Sequence, residues 1–218
     1  MNKILNTILM RIFARPSIKL ATLWPSYHAI SIMRKLYEIQ LSTEQLKIIA
    51  TTVRRKAPCN LLIFGLGNDS EFWANLNQGG VTIFIEDNQV WFQKVSRKSK
   101  QLICYLVNYN TQRKDWRMLL ESPSRLSMVL PDDVEKTEWD IILVDAPAGW
   151  NEQTPGRMKS IFNSARLIKV AGDIFVHDCN REIENIYCNT FLKKENLKTE
   201  INAPMGLLRH YHIRNCSN

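Results

Sequence analysis

The sequence predicts an α/β protein built on a doubly wound, Rossmann-like sheet, and two observations carry this prediction. From residue 60 onward apolar runs alternate with helical patterns, which implies parallel strands joined by helices. In addition, the apolar run at 61–64 ends in the turn Gly65-Leu66-Gly67, and the next apolar run ends at Glu86. A strand, a glycine turn, a helix and an acidic residue after the second strand are typical of a nucleotide-binding site.

The segment before the first strand is predicted to be helical. Residues 1–15 carry apolar side chains at the spacing of one helix face, and Pro16 is predicted to end that pattern. A second helix is predicted over 26–39. Ser42 and Gln45 form a capping-box pattern, which predicts the start of a third helix that ends near residue 55.

The remaining elements follow from the same patterns. Strands are predicted at 61–65, 81–86, 102–107, 140–145, 173–177, 197–201 and 207–213. Helices are predicted near 69–77, 88–98, 112–121, 156–169 and 180–194. The last two strands have no helix between them, so they form a terminal antiparallel hairpin. This ending is the class I methyltransferase form of the fold, and it favours S-adenosylmethionine over a nicotinamide cofactor.

Positive charge is concentrated at the N-terminus. Residues 1–56 hold ten Lys or Arg and two Glu, a net charge of +8 that equals the net charge of the whole chain. We therefore divide the chain into a basic helical extension at 1–56 and a methyltransferase-like catalytic domain at 57–218. Because the second segment is neutral, we expect no nucleic-acid partner. Residues 1–15 either contact a membrane surface peripherally or pack on the domain.

Two classes of protein are not expected from the composition. The sequence has no run of about 18 apolar residues, the length that a membrane-spanning helix needs. Its five cysteines show no CxxC spacing, so neither a disulfide framework nor a zinc site is predicted.

Candidate site residues follow the predicted strands, because ligands of doubly wound sheets bind beyond the carboxyl ends of the strands. They are Gly65, Gly67, Asn68, Asp69, Ser70, Glu86, Asp87, Asp145, His177, Asp178, Asn180 and Arg181. Helix capping is the alternative interpretation for several of them. Four strands nevertheless bring carboxylates to one rim, and like charges placed together need a cation or a shift in pKa.

Long motifs resemble a known family. They are Asn60-Leu-Leu-Ile-Phe-Gly-Leu-Gly-Asn-Asp-Ser70, Val144-Asp-Ala-Pro147, Pro155-Gly-Arg-Met158 and Phe175-Val-His-Asp178. Over roughly residues 42 to 214 the chain is similar to the DUF579 polysaccharide-biosynthesis family, whose characterised plant members are glucuronoxylan 4-O-methyltransferases. The resemblance implies S-adenosylmethionine as methyl donor and the 4-hydroxyl of a glucuronic acid in a glycan or polysaccharide as acceptor.

The hypothetical cofactor site uses the first two strands. Gly65, Gly67 and Ser70, with Asn68 and Asp69 beside them, would support the methionine part of the cofactor. Glu86 would accept hydrogen bonds from the ribose hydroxyls, Asp87 would lie beside the adenine, and Asp145 would face the sulfonium or the acceptor.

Two hypotheses remain open for the proton of the acceptor hydroxyl, with Asp145, His177 and Asp178 as the catalytic candidates. In the first, His177 or Asp145 is the general base. In the second, Asp145, Asp178 and Asn180 hold a divalent cation, magnesium or manganese, that lowers the pKa of the hydroxyl.

Three residues are candidates for binding the acceptor. Arg157 and Arg181 are predicted to bind its carboxylate in a bidentate way, and Trp150, on a rim loop, is predicted to stack on a sugar. Trp73 and Trp91 lie in helical patterns and are predicted to be core residues.

Other functions and compartments stay open at this stage. The alternatives are a non-catalytic scaffold of polysaccharide biosynthesis with the same fold, or a nucleic-acid methyltransferase. The localisation would be cytoplasmic or at a membrane periphery in a bacterium, and the Golgi in a plant.

Overall fold

The computed structural model describes residues 15–214, and three N-terminal helices lead into its sheet. Helix α1 covers residues 15–23, although the sequence pattern predicts a break at Pro16. Helix α2 (Tyr27–Tyr37) is capped by Ser26, and α3 (Thr43–Lys56) begins with the predicted capping box. The apolar stripe at 1–15 and its membrane contact lie outside the described residues, apart from residue 15.

The sheet has seven strands in the order β3-β2-β1-β4-β5-β7-β6. Their bounds are β1 Asn60–Phe64, β2 Val81–Glu86, β3 Ile103–Leu106, β4 Trp139–Val144, β5 Ile168–Val176, β6 Leu197–Ala203 and β7 Gly206–His212. The first five strands are parallel, and β7 is antiparallel to both β5 and β6. All seven strands and the terminal hairpin are predicted from the sequence, and the structure confirms them.

The helices between the strands are close to the predicted ones. They are α4 Ser70–Leu76, α5 Gln89–Lys98, α6 Trp116–Glu121, α7 Asp132–Glu135, α8 Met158–Leu167 and α9 Glu182–Tyr187. Short helical turns cover Arg113–Asp115, Pro123–Leu126, Cys188–Leu192 and Lys194–Asn196. Helix α7 and the turn at Pro123–Leu126 are not predicted, because four residues are too few to show a helical period.

Each face of the sheet has its own apolar core. Leu61 and Ile63 of β1 point to the layer formed by α1 to α5, while Leu62 and Phe64 point to the layer of α6 to α9. β1 and β4 are covered on both faces of the sheet, which explains why their sequences are almost continuously apolar. The described N-terminal helices thus form part of the layer that covers the first face. Within residues 15–214, no helix has the length and apolarity needed to cross a bilayer.

Candidate functional site

The glycine turn after β1 is shaped by its close approach to the loop after β4. Gly65 has φ +126°, and a Cβ on it would stand 3.3 Å from the Cβ of Ala146. The backbone conformation therefore favours glycine here, and a larger residue would also press on Ala146. The backbone N–H of Leu66 donates to Oε2 of Glu86 at 2.9 Å, which ties the turn to the end of β2.

The next residues fold back on the same turn. The N–H of Gly67 donates to Oγ of Ser70 at 2.9 Å, so Ser70 stabilises the turn with its own side chain. A Cβ on Gly67 would lie 2.6 Å from Oδ1 of Asp69, whose Oδ2 accepts from the indole of Trp73 at 2.8 Å. The pKa of Asp69 is raised to about 6, mainly by burial. The charge of Asp145 also raises it, and the hydrogen bond from Trp73 partly opposes the rise.

A cavity of about 160 Å³ opens beside this turn. It is lined by Ile63, Gly65, Leu66, Gly67, Asp69, Glu86, Trp91, Leu143, Asp145 and Ala146. Three of these residues are carboxylates that come from three different strand ends, as the sequence predicts. We call this cavity the acidic pocket.

Some predicted residues lie outside the acidic pocket, and several residues that are not predicted line it, among them Trp91. Asn68 is exposed and belongs to a neighbouring surface depression. Asp87 is half-buried next to Glu86, and burial raises its pKa. Trp73 is buried, as predicted, whereas Trp91 lines the acidic pocket and donates its indole N–H to the carbonyl of Leu66. Trp91 is partly buried and packs against the core, as predicted, but its place in the pocket is not predicted.

Glu86 is held in one orientation by the backbone. Its Oε2 accepts from Leu66, and its Oε1 accepts from the N–H groups of Asp87 and Asn88 at 3.0 and 2.7 Å. Burial raises the pKa of Glu86 in spite of these hydrogen bonds, each of which acts to lower it. A carboxylate accepts about four hydrogen bonds, so capacity for a further donor remains.

Asp145 connects the acidic pocket to a group of charged side chains. Its Oδ1 lies 3.1 Å from Nδ1 of His177 and 3.1 Å from Nη2 of Arg157. Its side chain remains 32 % exposed. Burial acts to raise the pKa of Asp145, but the hydrogen bond with His177 and the charge of Arg157 outweigh it, and the pKa is lowered.

His177 is enclosed by the turn that leads into β7. Its side chain is only 4 % exposed, and its Nε2 has no hydrogen-bond partner among residues 15–214. A Cβ on Gly206 would stand 3.0 Å from this nitrogen and 2.7 Å from Oδ1 of Asp178. The second ring nitrogen of His177 thus faces the hairpin, while the first faces Asp145.

Two arginines meet on Asp178. Nη2 of Arg157 lies 2.6 Å from its Oδ2, and Nη2 of Arg181 lies 3.0 Å from the same oxygen. Within the described part of the chain, Nε and Nη1 of Arg157 and Nη1 of Arg181 have no hydrogen-bond partner. Buried donors without partners lower the stability of the fold. An anion that accepted hydrogen bonds from these two arginines would remove that cost.

The residues predicted to hold a divalent cation do not fit that role. The guanidinium of Arg157 lies between Asp145 and Asp178, where the ion would have to bind. The side-chain oxygen of Asn180 instead accepts from the N–H of Leu207 at 3.1 Å. Across residues 15–214, no three His, Cys, Asp or Glu side chains are grouped so that they could hold a metal.

A second ion pair beside the arginines is not predicted from the sequence. The side chain of Glu184 is fully buried, and both of its oxygens lie 2.8 Å from Nη1 of Arg113. The same nitrogen donates to the carbonyl of Gly149 at 2.8 Å, and Trp150 follows with 74 % of its surface exposed. The sequence contains one signal for Glu184: it is a charged residue on the face of α9 that also carries the buried Ile183 and Tyr187.

Comparison with known sequences identifies the family. The sequence model of the IRX15/IRX15L/GXM family matches residues 44–129 and 122–211. The chain belongs to this family. It is similar to glucuronoxylan 4-O-methyltransferase 2 of Arabidopsis thaliana, with 36 % identity over 195 residues, 80 % of this chain and 66 % of that protein. Arabinogalactan O-methyltransferase 2 of the same plant is 36 % identical over 204 residues, 82 % of this chain and 69 % of that protein.

The alignments also show how much of each relative the chain covers and which fold it shares. The chain spans just under two thirds of the length of the glucuronoxylan relative. Among solved structures, a Staphylococcus aureus protein assigned as a caffeoyl-CoA O-methyltransferase aligns with a TM-score of 0.56 at 15 % identity, covering 91 % of this chain and 98 % of its own. The fold is thus that of class I S-adenosylmethionine-dependent methyltransferases, as the terminal hairpin predicts.

Proposed function

We propose that this protein transfers a methyl group from S-adenosylmethionine to the 4-hydroxyl of a glucuronic acid residue in a polysaccharide. One observation carries the proposal: Asp145 lines the acidic pocket and also contacts Arg157, one member of the arginine pair. A pocket for a cationic donor therefore adjoins a site for an anionic acceptor. The names of the family relatives, glucuronoxylan and arabinogalactan O-methyltransferases, support the same class of acceptor.

The acidic pocket, with a volume of about 160 Å³, has features that suit the charged part of the donor. S-adenosylmethionine, when bound, supplies a methyl group on a positively charged sulfur. Asp69, Glu86 and Asp145 would stabilise that charge together with the ammonium of the methionine part. Gly65 lines the pocket without a side chain, and Glu86 keeps acceptor capacity for a ribose hydroxyl.

The arginine pair has the features that the acceptor requires. A guanidinium binds a carboxylate through charge-assisted N–H hydrogen bonds, and Nε and Nη1 of Arg157 have no hydrogen-bond partner within residues 15–214. Arg181 adds Nη1 from the neighbouring guanidinium. These donors would hold the carboxylate of the sugar and thereby orient a hydroxyl of the same ring toward Asp145.

Asp145 is the group proposed to take the proton of the hydroxyl. Its side chain is partly exposed and lines the acidic pocket, whereas both ring nitrogens of His177 are turned toward Asp145 and the hairpin. A lowered pKa keeps Asp145 ionised at neutral pH, and the oxygen becomes strongly acidic as it receives a methyl group. His177 and Arg157 would act as positioning residues that fix the orientation of Asp145.

The proposal is tested with purified protein, S-adenosylmethionine and two matched acceptors. One is an oligosaccharide that carries glucuronic acid, and the other is the same compound after reduction of its carboxyl group to an alcohol. We expect methyl transfer to the first and a rate at least about a hundredfold lower with the second, because the arginine donors lose their anion.

Two results would contradict the proposal. Equal rates with the two acceptors would show that the arginine pair does not recognise a carboxylate. If calorimetric titration detects no binding of S-adenosylmethionine, the chain is instead a non-catalytic member of the fold.

A further inference from the structure

We propose that a groove beside the arginine pair binds the neutral sugars of the polymer that flank the methylated residue, an inference that rests on the proposed function. The groove has a volume of about 410 Å³ and lies between the loop after β4 and the start of α6 and α9. Lys114, Trp116, Arg117, Trp150, Glu152 and Glu182 line it. Its volume falls within the roughly 300–1,000 Å³ that is usual for ligand clefts.

Two tryptophans give the groove apolar surfaces. Trp150 is 74 % exposed, although a large aromatic side chain usually gains free energy from burial. Trp116 is half-buried, and the guanidinium of Arg117 lies 4.7 Å from the centre of its ring system. Aromatic faces pack well against the apolar C–H faces of sugar rings, so an exposed tryptophan in a polar groove favours a carbohydrate.

The charges of the groove are balanced. Lys114 and Arg117 are matched by Glu152 and Glu182. Arg113 also lines the groove, and its charge is paired with the buried carboxylate of Glu184 behind it. A polyanion would require an excess of positive charge. A lining that offers both donors and acceptors, with its charges paired, instead suits the hydroxyl groups of neutral sugars.

The loop that carries Trp150 is held in place before any ligand binds. The N–H groups of Arg113 and Lys114 donate to the carbonyls of Thr154 and Glu152 at 2.9 and 3.1 Å. Within the loop, the side-chain oxygen of Asn151 accepts from the N–H of Thr154 at 2.9 Å. Such preorganisation lowers the entropy cost of binding.

The groove adjoins the arginine pair at Gly149 and at Glu182. A Cβ on Gly149 would stand 2.9 Å from Nη1 of Arg181, one of the unpartnered donors, and Trp150 is the next residue. On the other wall, Glu182 directly follows Arg181. A chain whose glucuronic acid binds the arginines would therefore extend its neighbouring sugars into the groove.

The test compares acceptors of two lengths: glucuronic acid linked to one xylose, and a longer glucuronoxylan oligosaccharide. With the wild-type protein we expect a lower KM for the longer acceptor. Trp150→Ala should raise the KM for the longer acceptor about tenfold, and at least about fivefold more than for the short one. Trp24→Ala is the matched control, because Trp24 is also exposed, at 70 %, but lies far along the chain between α1 and α2. It should leave both KM values unchanged.

The outcomes separate this inference from the proposed function. If the wild type methylates both acceptors with the same KM, or if Trp150→Ala affects both equally, the groove does not bind the flanking sugars. If the wild type methylates neither acceptor, the proposed function itself fails. A calorimetric titration of the longer oligosaccharide provides a second readout, in which Trp150→Ala should weaken binding and Trp24→Ala should not.

Discussion

Two clusters at strand β5 contain the same kinds of side chain and differ in the exposure of their carboxylate and in the number of cationic donors that have no partner. Within the strand, Asp173 is fully buried and lies 2.7 Å from Nε2 of His210 and 2.6 Å from Nζ of Lys56. Just beyond the strand, His177 joins Asp145 and Arg157. The Asp173 cluster encloses its carboxylate completely, and His210 is also stacked on the ring of Phe175.

The second cluster is built differently. Asp145 keeps 32 % of its side chain exposed, and four nitrogens of Arg157, Arg181 and His177 have no hydrogen-bond partner within residues 15–214. A closed cluster stabilises the fold, because helix α3 is tied to the sheet through Lys56 and Asp173. An open cluster has donors available to a ligand. We therefore propose that Asp173 and its partners stabilise the fold, whereas Asp145 and its partners serve the function.

The largest effect is expected for Asp145→Asn. The amide keeps an oxygen that can accept from Arg157 and His177, but it cannot take a proton. We expect kcat to fall by about 10²- to 10⁴-fold, with little change in the urea midpoint of unfolding. Steady-state rates and urea titrations measure the two quantities. If the activity stays within tenfold of the wild type, Asp145 is not the group that accepts the proton.

The opposite result is expected for Asp173→Asn. Asn at this position removes the carboxylate from a buried ion pair. Lys56 then keeps its hydrogen bonds to the carbonyls of Asp140 and Ala171 but loses its ion pair, and the loss costs about 3–5 kcal/mol in the free energy of unfolding. The kcat of the folded protein should stay within about twofold, since the substitution lies in the closed cluster.

Lys56→Gln gives a milder form of the same test in case Asp173→Asn does not fold. If either variant folded stably but had no activity, the Asp173 cluster would also be needed for function, and the proposed division between the two clusters would be wrong.

A smaller effect concerns Asp69, whose pKa of about 6 makes the acidic pocket sensitive to pH. A carboxyl with a raised pKa becomes ionised only as the pH rises through 6, and the ionised form favours a cationic ligand. We therefore expect S-adenosylmethionine to bind about tenfold more weakly at pH 5 than at pH 8. In Asp69→Asn, calorimetric titrations should show this dependence much reduced. An unchanged dependence in the variant would assign the titration to another group.

No effect is expected from metal removal. The guanidinium of Arg157 already bridges Asp145 and Asp178, so the protein should retain full activity in EDTA. Activity that is lost in EDTA and restored by magnesium or manganese would contradict the geometry of the arginine pair.

Much of the fold is predictable from local patterns. The strand at Val81–Glu86 is predicted with both of its bounds, and the hairpin follows from two strands without a helix between them. The strand ends also bring Asp69, Glu86 and Asp145 to one pocket, because parallel strands end at the same rim.

The parts that sequence reasoning missed depend on tertiary packing. Nothing in the sequence around Asn180 shows that its side chain binds the backbone of Leu207. Trp91 on an amphipathic helix has the same sequence signal whether it faces the core or a pocket. The pairing of Arg113 with Glu184 joins residues 71 positions apart, which a single sequence cannot reveal.

The most direct measurement is the position of the methyl group in the product. The protein is incubated with isotopically labelled S-adenosylmethionine and an oligosaccharide that bears glucuronic acid, and the product is analysed by NMR. A labelled methyl ether at O-4 of the glucuronic acid is expected, because the arginine pair holds the carboxylate and leaves a ring hydroxyl to Asp145. Methyl ester formation on the carboxylate, or no labelled product at all, would contradict this arrangement.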